Sequence, residues 1–107
     1  MGKIEDSGSF KENLQAYRHE FDRGAKLFKE ALDEYSHTED KNKKAQLEKV
    51  MKETKHAMNQ IINSVLRKKG SVFLNKLNTD YDDVSKKASK ENVERLKTDI
   101  DDIGKIL

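Results

Sequence analysis

The sequence predicts an all-α antiparallel three-helix bundle: a long helical hairpin with a third helix packed along it, or a four-helix variant if that third helix is broken. Three observations carry this reading. From Phe10 the apolar positions run Phe10, Leu14, Tyr17, Phe21, Gly24, Phe28, Ala31 and Tyr35, alternating steps of four and three that line one face of a helix at the coiled-coil period. No proline occurs anywhere in the 107 residues, so nothing removes a donor from a long helical ladder. Charged residues make up 39% of the chain and apolar ones 34%, a balance that suits amphipathic rods with narrow apolar seams.

The first helix is predicted over 9–35. Ser9 and Glu12 form a capping box at its start, which leaves 1–8 as a flexible lead and 9–107 as one helical domain. Gly24 lies on the seam and costs about 1 kcal/mol of helix propensity against alanine, so it is expected to admit a bulky partner side chain. Ser36 and Glu39 form a second capping box at the turn, and a connection this short forces an antiparallel hairpin. The second helix, over 39–69, places Leu47, Val50, Met51, Met58, Ile61, Ile62, Val65 and Leu66 on a broad face.

The stretch RKKGS, residues 67–71, raises the question of an anion pocket or a phosphorylated serine. A structural role accounts for each residue: cations at the negative end of a helix, Gly70 in a left-handed position just beyond it, Ser71 as cap of the next. A short helical turn then covers 71–78, with NTDYDD as a break and restart. One final helix follows at about 80–106, its seam running Tyr81, Val84, Ala88, Asn92, Leu96, Ile100, Ile103, Leu107. The other reading makes ASKEN a second restart capped by Ser89, with Val93 opening a new seam.

Chemistry-bearing patterns are thin. Cysteine is absent, which excludes disulfides, thiolate metal sites and cysteine nucleophiles. DIDDIG (99–104) puts Ile103 where a calcium loop needs an oxygen ligand, and NTDYDD (78–83) lacks the loop glycine. His19, His37 and His56 have no zinc-helix spacing, and the five glycines are isolated from one another. Adjacent acids such as Asp82 and Asp83 diverge on a helix and make no general acid and base pair. The expectation is a protein that is not an enzyme and has no cofactor or metal.

Net charge is +2, but residues 36–70 carry nine cations against four anions, while both flanks are mildly acidic. A nucleic-acid face would have to be Lys41, Lys44, Lys52 and Lys55. Eighteen of the 22 cations are lysine, a flexible point charge ill suited to bidentate base or phosphate contacts, which argues against nucleic acid. The expected function is a protein-protein interaction module, an adaptor, small chaperone or assembly subunit, that binds a protein partner or a second copy as a homodimer by helix packing. Its contact residues would be Phe10, Tyr17, Phe21, Val72, Phe73 and Leu77, each of which could equally be ordinary core. No apolar run is long enough for a membrane span and no signal peptide is visible, so a soluble, cytoplasmic protein is expected.

Overall fold

Alternating fours and threes do build one long rod. In the computed structural model, which describes the backbone from Gly2 and side chains from Leu14, helix α1 covers Gly2–His37. It therefore begins before Ser9, because nothing in residues 2–8 breaks the ladder; the expected cap pair Ser9 and Glu12 and the contact residue Phe10 lie outside the described side chains. Helix α2 covers Lys41–Leu66, a 3-10 turn covers Arg67–Gly70, helix α3 covers Ser71–Lys86 and helix α4 covers Lys90–Ile106. The fold is an all-α helical bundle in its four-helix form.

Each connection has a local cause. At the first, Ser36 is no cap: its hydroxyl donates back to the Asp33 carbonyl at 2.9 Å. Asp40 takes that role in extended backbone, its Oδ1 accepting from the amides of Asn42 and Lys43 at 2.9 and 3.4 Å. At the second, the left-handed residue is Arg67, with φ 53° and ψ −125°, and not Gly70, whose φ is −75°. Gly70 is required for space instead. A Cβ there would lie 2.8 Å from Ile62 Cγ2 and 3.2 Å from both the Ile62 carbonyl and Leu66 Cβ. Ser71 caps nothing, its hydroxyl donating to the Lys68 carbonyl at 2.9 Å.

The third connection replaces the single final helix expected over 80–106. NTDYDD runs unbroken inside α3, and the chain turns at 87–89, where Lys87 is extended and Ser89 accepts from the Asn92 amide at 3.2 Å. Asn92 explains the break. On one continuous helix its amide would face the core without partners, whereas here its side-chain NH2 donates to the Lys87 carbonyl at 2.9 Å and ties the turn together.

Short connections dictate up-down-up-down packing. Lys29 with Asp101 and Lys97 with Asp33 lock α1 antiparallel to α4, and the Arg18 Nε donates to the Leu107 carbonyl at the end of the same seam. Lys55 Nζ donates to Asn78 Oδ1 at 2.8 Å and fixes α3 against α2. Every helix sends side chains into one shared core: Phe21, Phe28 and Leu32 from α1, Met51, Met58 and Ile62 from α2, Leu77 and Val84 from α3, and Leu96, Ile100 and Ile103 from α4. The product is elongated, 56 × 24 × 16 Å, with a radius of gyration of 15.4 Å against about 13 Å for a compact chain of this length.

The glycines give opposite predictions. Gly24 faces Met58, as its seam position implied, but an added Cβ would meet Met58 Cγ at 3.5 Å, an ordinary contact. Gly24→Ala is expected to stabilise the fold by up to about 1 kcal/mol through helix propensity. Gly70→Ala is expected to destabilise it by about 1–3 kcal/mol, because Ile62 and its backbone would have to move. Urea unfolding of the two variants beside the parent chain checks both signs.

Candidate functional site

Two places stand out on the finished bundle: exposed apolar residues at one end and a pair of buried acids. Both belong to the seam between α3 and α4.

The patch lies where α3 begins and α4 ends. Val72 is 69% exposed and Ile106 47% exposed, among the largest exposures of any aliphatic side chain in the described residues. Beside Val72 opens a cavity of about 170 Å³ walled by Val72, Phe73 and Ile103, with Lys76, Asp99 and Asp102 contributing its polar lining. A smaller apolar area sits on the outer side of α1 and α2, where Leu27 and Val50 remain 49% and 38% exposed. Tyr17, also exposed, borders a shallow groove with Ala57, Gln60 and Ile61.

The residues singled out in the sequence divide accordingly. Tyr17, Val72 and Phe73 are accessible or partly so. Phe21 and Leu77 are core residues, 2% and 0% exposed, and the contact role expected of them is corrected: each occupies the inward position of its helix and cannot meet a partner while the bundle is folded. Leu27, Val50 and Ile106 are further exposed apolar residues; the seam puts Val50 on the inward face of the second helix, and a seam count alone does not tell which flanking residues a neighbouring helix leaves uncovered.

The basic face is less free than its charge suggests. Lys41 and Lys52 are exposed. Lys44 lies with Nζ 5.4 Å from the ring centre of Tyr35, and Lys55 sits 4.9 Å from that of Tyr81 while bonding Asn78. Two of the four lysines therefore serve the fold. Tyr35 in turn donates to Glu48 at 3.0 Å, and burial raises the pKa of its hydroxyl and of the Tyr81 hydroxyl.

Asp80 and Asp99, acids of the NTDYDD and DIDDIG stretches, are buried, 6% and 3% exposed. They face each other across α3 and α4. Lys76 Nζ stands 3.3 Å from Asp99 Oδ1 but keeps 58% of its side chain in solvent, and neither Asp99 oxygen nor Asp80 Oδ2 receives a hydrogen bond. Burial, then the neighbouring Asp80, push the Asp99 carboxyl up from 3.8 to about 6, and Lys76 opposes them. A sequence signal for this pair exists. Leu77-Asn-Thr-Asp80-Tyr-Asp-Asp-Val84 and Leu96-Lys-Thr-Asp99-Ile-Asp-Asp-Ile103 are the same pattern repeated nineteen positions apart, each preceded by a cation, Lys76 or Arg95. The fourth position of each copy falls on the inward stripe with the first, fifth and eighth. Two copies on antiparallel helices then set Asp80 opposite Asp99.

Among the described residues no three His, Cys, Asp or Glu side chains converge as metal ligands, and no helix is long and apolar enough to cross a membrane.

Lys55→Met is expected to cost about 1–2 kcal/mol through the lost Asn78 bond and the Tyr81 ring contact, whereas Lys52→Met should change stability by less than about 0.5 kcal/mol. Thermal or urea unfolding separates the two. Comparison with family models, with curated proteins and with solved structures returns no match to this chain.

Proposed function

We propose that the protein is a non-enzymatic interaction module that docks a partner helix, from another protein or from a second copy of itself, onto the seam where α3 begins and α4 ends. The supporting observation is that Val72 and Ile106 stay largely in solvent in a chain with few apolar residues to spare. The cavity walled by Val72, Phe73 and Ile103 suits one apolar side chain of an amphipathic helix. Lys76 and Asp102 at its edge offer both charge signs for register. The elongated form adds length along which a partner helix can lie.

Sedimentation equilibrium of the pure chain across concentration, repeated with helical candidate partners, tests the reading. Association is expected to persist from low to moderate salt, since apolar burial carries it and not counterion release. Val72→Asp with Ile106→Asp should weaken it at least about tenfold while leaving the melting temperature near that of the parent. Association that survives the double variant unchanged contradicts the reading.

A further inference from the structure

We propose that Asp80 and Asp99 share one proton in the folded protein and release it to solvent as the pH rises, which makes the α3–α4 seam a proton-sensitive clasp.

Ionised carboxylates only accept hydrogen bonds. Two of them side by side out of water leave oxygens without donors, as Asp80 Oδ2 and both Asp99 oxygens are here. A single proton cures this: the carboxyl that holds it donates to the carboxylate opposite, and the pair carries one negative charge, matched by Lys76. Without it, two buried negative charges confront one cation that reaches one oxygen at 3.3 Å.

Neighbouring helices offer no substitute. From α2, Lys55 is engaged by Asn78 and the Tyr81 ring. From α1, Lys29 and Asp33 are paired with Asp101 and Lys97. Asp102 on α4 lines the same cavity as Asp99 and adds a third negative charge, and Arg95, the counterpart of Lys76 in the repeat, is exposed. The repeat itself places the same acid on both sides of the seam.

The direction of the pH effect follows. The folded Asp99 carboxyl titrates at about 6, above its usual 3.8. The folded state thus holds the proton more tightly than the unfolded chain, and the resulting stabilisation is full below about 3.8 and is lost as pH rises through about 6.

Carboxyl 13C NMR of the intact chain between about pH 3 and about pH 8 reads the pair directly. The Asp99 carboxyl is expected to titrate near 6. Asp80→Asn should bring the Asp99 midpoint down, and Lys76→Met, which removes the opposing cation, should raise it even if the first variant does not fold. An Asp99 carboxyl at its usual 3.8 overturns the proposal, and so does an Asp99 midpoint unmoved by Asp80→Asn in a folded variant. In urea unfolding, Asp99→Asn, whose amide can donate permanently to Asp80, should abolish the loss of stability between mildly acid and mildly alkaline buffer that Asp99 imposes on the parent; an unchanged pH slope counts against it.

Discussion

Burial of one apolar stripe per helix is the constraint on which everything else depends. With 39% of residues charged, no helix can be apolar on more than a narrow face, and no pair of helices closes a core alone. Phe28 shows the consequence. It is fully buried, and α3 brings Tyr81 to it, ring centres 6.0 Å apart. Ion pairs such as Lys29 with Asp101 and Lys97 with Asp33 set the register of α1 on α4 but lie partly in solvent, where such pairs contribute little stability.

The same constraint explains the oddities of the surface. Once each stripe is committed inward, side chains at its margins stay wet wherever no fourth neighbour reaches them, as with Leu27 and Val50 on the outside of α1 and α2. At the end of the α3–α4 seam this leaves Val72 exposed beside a cavity and Ile106 exposed at the close of α4, and along the same seam an acid occupies the inward position twice. An acid in both copies of the repeat gives that seam a sensitivity to pH.

Much of this was legible in the residues. The α1–α2 hairpin follows from the seam beginning at Phe10 and from the polar turn before Lys41, and the bundle class follows from the absence of proline with that periodicity. The second half was harder. Asn92 could be read as a tolerated polar residue on a continuing helix, and only its bonds across the turn show why the chain stops at Lys87. Gly70 was legible as a necessary glycine but for a different reason, close approach to Ile62 and not a left-handed backbone. The exposed apolar surface was half legible: Val72 and Phe73 line its cavity, but Phe21 and Leu77 are apolar candidates of the same kind that neighbouring helices cover. The acid pair required aligning the chain with itself over eight residues, shorter than the periods that mark repeat architectures.

Native-state hydrogen exchange tests the shared core most directly. If four helices close one interior, the slowest amides around Phe28, Met58, Leu77 and Ile100 will exchange with the same free energy of opening, while the turn at 87–89 exchanges fast apart from Lys87, whose amide donates to Asp83. Rapid exchange throughout α3 and α4 beside a protected α1–α2 hairpin, or continuous protection across 86–91, would contradict the account.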